Sequence, residues 1–135
     1  MSRVLKYIER STGASHNGEA WIGYVDASKT GRTIYFNGRA FARSIRGGFA
    51  DNHHDVETYE AYWISGVKKR GTNRHWAGSG KIQIESTAVS EYLEWTGADE
   101  LDLHEFEIVD PRPLTDKERI RKVLNESLCD EDDAV

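Results

Sequence analysis

Asn37-Gly38 constrains this chain more than any other pair of residues. It stands between TIYF (33–36) and RAFA (39–42), two runs in which apolar residues alternate with others. A two-residue type I′ hairpin loop needs positive φ at both central positions, which Asn-Gly adopts at little cost. The pattern predicts an antiparallel hairpin that turns Ile34, Phe36 and Phe41 toward a core.

Further short strands flank that hairpin. Residues 4–8 have β-propensity, with Tyr7 and Ile8 adding to it. Residues 20–26 (AWIGYVD) put Trp21 and Val25 on one face and Ile22 and Tyr24 on the other, so a central strand covered on both sides is expected. Lys29-Thr30-Gly31 suits a hairpin loop, and TGASHNG (12–18) a turn-rich connector. Residues 43–55 lack a clean period and read as a long loop, after which 57–67 and 81–85 resume as strands. Ile82 and Ile84 face inward in the last of these.

Helices enter late. Ser86 or Thr87 opens a short one that carries Val89, Tyr92 and Leu93 on one stripe, with Gly97 placed to end it. Residues 101–109 read as another strand, with Phe106 and Ile108 on one side, until Asp110-Pro111-Arg112-Pro113 breaks the chain. Thr115 and Glu118 have capping-box spacing before a helix with Ile120, Val123, Leu124 and Leu128 on one stripe. The expected fold class is mainly β (α+β): a small, strongly bent antiparallel sheet or SH3-like barrel of about five to seven strands. It would carry a short helix near 87–95 and a C-terminal helix near 115–128. The organisation is a β-rich domain over 1–110, a packed helix over 111–129 and an acidic tail over 130–135. Trp21, Tyr24, Ile34, Phe36, Trp63, Ile82, Ile84, Leu93 and Phe106 form the expected core.

Charge is unevenly distributed. The net charge of -5 divides into +5 over residues 1–75 and -10 over 76–135. A solvated acidic region accounts for this, and so does an acidic segment that competes with an anionic ligand for the basic half. No apolar run approaches the about 20 residues of a membrane helix, and the first residues carry no apolar signal region. Cys129 has no partner for an internal disulfide, and the expected location is cytoplasmic. Its acidic neighbours disfavour a thiolate, so it is a poor candidate nucleophile.

The candidate binding residues lie in one loop. Between Trp63 and Trp76 the chain concentrates Lys68, Lys69, Arg70, Arg74 and His75. Cations beside flat rings suit an anionic ligand or one with a stacking surface. Trp76 or His75 would stack, the basic side chains would meet phosphate or carboxylate, and Arg46 in the other irregular loop would add a contact. The alternative is an exposed hairpin tip whose charges serve solubility. His53-His54-Asp55 invites a metal or acid–base reading, with His16, His75 or Asp51 as further ligands, but no recurring ligand spacing accompanies it. Neither a nucleophile elbow nor a phosphate-binding glycine fingerprint is present. No cofactor is expected.

The runs AWIGYVDASKTGRTIYFNGRAF and DVETYEAYWISGVKKRGTNRHWAGSGKIQIE resemble a family of short, uncharacterised bacterial proteins over roughly residues 5–97. The shared elements are AWIG, SKTGRTIYFNG, DVE–YW–SG–KK and RHW. The chain departs from the family pattern at Glu19 and Val67, where proline is common, and at Tyr59, where glycine is. Members have carried the label 1-deoxy-D-xylulose-5-phosphate synthase, but the diphosphate- and magnesium-binding motif of such enzymes is missing here. The resemblance implies a bacterial source and a shared β fold, with no activity or catalytic residues to carry over. The expected function is a binding module for a protein or an anionic ligand, nucleic acid among the candidates, and not one for a membrane. A small hydrolase using His53, His54 and Asp55 is the alternative.

Overall fold

Asn37 and Gly38 both adopt positive φ, at 55° and 71°, and close the expected hairpin between β3 (Thr33–Phe36) and β4 (Arg39–Arg43). The structure, a computed structural model, describes residues 3–11, 18–44, 51–71, 73 and 80–133, with side chains to residue 125. Around the hairpin run β1 (Val4–Arg10), β2 (Ala20–Ala27), β5 (His53–Asp55) and β6 (Ala61–Gly66). Each of the six pairs antiparallel with the next, and β6 returns to pair with β1, so the meander closes into a small barrel. Closure removes the free edges that a six-stranded open sheet would expose.

Two more strands lie outside the barrel, and both are parallel, where a purely antiparallel sheet was expected. β7 (Ile82–Glu85) pairs with the start of β2, and β8 (Phe106–Val109) pairs with β7. Between them a tight helical turn, Ser86–Ala88, leads into α1 (Val89–Thr96), whose end is capped at Gly97. Other boundaries moved for local reasons. The strand expected over 57–67 begins only at Ala61, because residues 56–58 form a turn that Asp55 caps with its carboxylate. Residues 53–55, expected within a loop, are β5, recruited by β4 and β6 on its two sides. The strand expected over 101–109 starts at Phe106, after a turn closed by Phe106 N–H on Asp102 O at 2.9 Å.

Strand alternation gives the barrel two apolar faces. Ile8, Trp21, Val25, Phe36, Phe41, Tyr62 and Ile64 fill the interior. Tyr7, Ala20 and Ile22 point outward and join Ile82, Ile84, Ala88, Tyr92 and Phe106 in a second cluster beneath α1. β2 is therefore covered on both sides, as its two-faced pattern predicts. Tyr24, Ile34, Trp63 and Leu93 are only partly buried, because they sit at the rims of these clusters. A third contact seats Ile120 of α2 (Lys117–Asp133) on Ala40 and Val56. Asp116 caps α2, accepting from the Glu118 and Arg119 N–H groups, whereas the Thr115 hydroxyl expected there donates to Arg39 O at 2.7 Å. The helix extends through Asp133, across most of the segment read as a tail.

One edge of β2 is shared. β7 takes Ala20–Ile22, and β3 takes Asp26 and Ala27. In the gap lies the carboxylate of Glu85, 1% exposed. Its Oε1 accepts Tyr24 N–H at 2.7 Å and its Oε2 accepts Arg112 N–H at 2.6 Å. Gly23 makes room for it, since a Cβ there would stand 2.4 Å from Oε1 and 2.9 Å from Phe36 Cε1. The carboxylate is held by two donors and cannot withdraw without leaving them unpaired. Gly23→Ala should therefore lower unfolding free energy by about 1–3 kcal/mol. Gly66→Ala, where no atom stands within 4 Å of the added methyl, should change it by no more than about 0.5 kcal/mol. Urea denaturation of the two variants checks the contrast; equal effects would contradict it.

Candidate functional site

A groove of about 900 Å³ runs between α1 and the ends of β1 and β6. Val4, Leu5, Val67 and Trp95 supply its apolar surface, and Lys69, Glu91 and Glu94 its charges. Trp95 lies off the buried stripe of α1 and is 47% exposed. Its indole N–H donates to Val67 O at 3.0 Å, which ties α1 to the chain leaving β6. Lys69 Nζ lies 5.2 Å from the Trp95 ring centroid, a cation–π contact. Tyr24 OH donates to Glu91 Oε1 at 2.8 Å. Burial first, then this hydrogen bond and the charges of Glu91 and Glu85, raise the Tyr24 pKa and keep the phenol a donor. The same tyrosine thus meets Glu85 through its backbone and Glu91 through its side chain, and these contacts set where α1 lies.

Three of the expected ligand residues fall in the described part of the loop. Lys69 lines the groove, whereas Lys68 and Arg70 are exposed beside it and form no ion pair among the described residues. Lys68 N–H donates to Asn73 Oδ1 at 2.6 Å, folding the loop on itself. Arg46, Arg74, His75 and Trp76 lie outside the described residues, as does His16. Trp63, one of the two flanking rings, packs partly buried against the cluster under α1. Trp95 was not singled out from sequence. Its signal was an aromatic residue off the helix's apolar stripe.

Strand alternation turns His54 to the opposite face of β5 from His53 and Asp55. His53 is buried, and its Nδ1 lies 2.7 Å from Asn52 Oδ1. That oxygen also accepts Ile64 N–H, while Asn52 Nδ2 donates to Ile64 O, so the asparagine side chain stands in for a strand partner. The acceptor role of Oδ1 makes His53 Nδ1 the protonated ring nitrogen. His54 points the other way, 3.4 Å from Ser44 Oγ and stacked against Tyr59. Asp55, fully buried, is held by Arg39 at 2.7 Å and by the turn N–H groups. Among the described residues no three His, Cys, Asp or Glu side chains gather as a metal site would require. No family model, curated protein or solved structure matches this chain. Among the described residues no helix is long and apolar enough to cross a membrane.

Burial, and then the positive charges of Arg43, His54 and Lys6, lower the pKa of His53. A histidine whose folded pKa lies below its ordinary value near 6.5 favours the folded state above that pH. Its contribution is lost as pH falls through about 6.5 toward the folded value, because the unfolded chain takes up the proton first. Urea midpoints should therefore drop between pH 7.5 and pH 5, and His53→Asn should make the drop shallower. An unchanged pH dependence in the variant would show that His53 does not contribute.

Proposed function

We propose that the protein is a bacterial, cytoplasmic binding module that holds a peptide segment of a partner protein in the groove between α1 and the β1 and β6 ends. The observation that carries this reading is the composition of the groove: an exposed tryptophan and aliphatic floor, with a lysine and two glutamates around it. An apolar surface ringed by charges of both signs suits an amphipathic chain, whereas Glu91 and Glu94 would repel a phosphate backbone. Lys68 and Arg70, exposed next to Lys69, extend the surface toward acidic residues of the partner. The loop thus contributes its cations, and α1 the ring against which the ligand packs. A hydrolase built on His53, His54 and Asp55 has less support, since each is engaged in a contact that maintains the barrel wall.

Selection from a displayed library of 12-residue peptides, with labelled oligonucleotides titrated in parallel, tests the proposal. Selected peptides should share an apolar anchor with flanking charges and quench tryptophan fluorescence on binding. Trp95→Ala should weaken them about 30-fold, the roughly 2 kcal/mol expected for truncation of an interface aromatic. Lys68→Glu combined with Arg70→Glu should weaken them less, and mainly at low salt. Peptides that bind wild type and Trp95→Ala equally, or an empty selection, would reject the groove as the site.

A further inference from the structure

One mouth of the barrel is basic. β1, β3 and β5 begin there, and β2, β4 and β6 end there. Alternation decides which side chains turn into it. Ile8 and Phe41 lie in the barrel interior, and Lys6 and Arg43 stand two residues nearer the mouth on the same faces. Lys6 pairs with Gly23 and Gly66, and Arg43 pairs with His53. Ile34 also packs on the interior. Arg32 stands two residues before it, with its backbone O accepting Arg43 N–H at 3.2 Å. Register thus turns three cations inward at one end of the barrel, around the buried ring of His53.

These cations have no counter-ion. Arg3, Arg10, Arg39, Arg119 and Arg121 each meet a carboxylate, whereas Lys6, Arg32 and Arg43 meet none among the described residues. Asp26, near the end of β2, alternates to the outer face and pairs with Arg3. Asp51, two residues before His53, forms no ion pair among the described residues. Glu85 reaches Gly23, but its two oxygens already accept backbone N–H groups. Space is open beside Lys6: at Gly66, its partner across the seam, an added Cβ would meet no atom within 4 Å. The charges that act on His53 are Arg43, His54 and Lys6, all positive, and with burial they lower its pKa. A positive potential without a counter-ion is therefore felt inside the mouth.

We infer that this mouth binds a phosphate group between Lys6, Arg32 and Arg43. Guanidinium forks match phosphate oxygens in pairs, and the lysine adds a point charge. A phosphate ester carries about -1.5 to -2 charges at pH 7, enough to offset most of the three cations. Free phosphate or a small ester presents this chemistry, and so does the backbone of a nucleic-acid strand. Lys6, Arg32, Arg43 and His53 do not line the α1 groove, so the inference stands or falls apart from that site.

NMR titration of the full chain with inorganic phosphate, acetate and an eight-residue oligo-dT, in 50 mM chloride, tests it. Phosphate or oligo-dT should give saturable shifts at the Arg43 and His53 amides. Arg32→Gln combined with Arg43→Gln should weaken binding about tenfold or more, through lost charge-assisted bonds. Both arginines are exposed, so the double variant should keep wild-type circular dichroism. Arg121→Gln, on α2, should leave binding unchanged. His53 gives a readout that needs no substitution. Its Nδ1 is engaged with Asn52, so a second proton goes to Nε2. A bound anion offsets the surrounding positive charge and should raise the His53 pKa above its value in chloride of equal ionic strength. Oligo-dT that binds far tighter than phosphate, and weakens at 200 mM chloride, identifies a strand as the source. Oligo-dT no tighter than phosphate identifies free phosphate or a small ester. The inference is overturned if neither probe gives saturable shifts, or if the double variant binds as the wild type does. Acetate as tight as phosphate, or a His53 pKa unmoved by the saturating probe, would overturn it too.

Discussion

The edge of β2 has to serve both β7 and β3, and the two cannot meet along it without leaving backbone donors unpaired. The Glu85 carboxylate resolves this by accepting Tyr24 N–H on one oxygen and Arg112 N–H on the other. A buried carboxylate is costly unless its lone pairs are filled, and here backbone donors from two segments fill them. The arrangement depends on the missing side chain at Gly23, which leaves the space that Glu85 occupies. Through these contacts the closed barrel, the parallel strand β7 and the segment leading to α2 are held as one body. Because α1 follows Glu85 after a single tight turn, the same contact also fixes where the helix begins.

The candidate groove follows from that geometry. α1 lies over the outward apolar side chains of β1, β2, β7 and β8, and the groove opens where the helix ends and the Val67–Lys69 chain passes Trp95. On the other wall, α2 covers Tyr35, Ala40 and Ala42 through Ile120. The groove is apolar with mixed charge around it.

Most of the barrel was legible because its signals are local. Asn37-Gly38 specifies its own turn, and β2 shows its two covered faces in the alternation of Trp21, Ile22, Tyr24 and Val25. Features that depend on distant residues were not legible. Glu85 reads as the polar end of an alternating strand, yet it is buried because β2 splits its edge 61 residues earlier in the chain. His53-His54-Asp55 has little strand character of its own, and becomes β5 only between β4 and β6 with Asn52 extending the ladder. The parallel pairing of β7 and β8 is equally invisible to local pattern. Thr115 and Asp116 are both good helix caps side by side, and the choice was made by Arg39 O, which takes the threonine hydroxyl. At the candidate site the cations at 68–70 were legible as exposed charge, but the tryptophan that Lys69 faces is 26 residues away and on another element.

The central claim is that one carboxylate joins the barrel to its C-terminal segments, and amide hydrogen exchange of Glu85→Gln tests it most directly. Glutamine preserves the shape but turns a donor toward one of the two N–H groups, leaving that amide without an acceptor. The Tyr24 and Arg112 amides should be protected in the wild type and should both lose protection in the variant. Their loss should exceed that of the seam amides Glu9 and Trp63, where β1 and β6 close the barrel. Wild-type protection retained at Tyr24 and Arg112 in the variant, or no protection there in the wild type, would contradict the account.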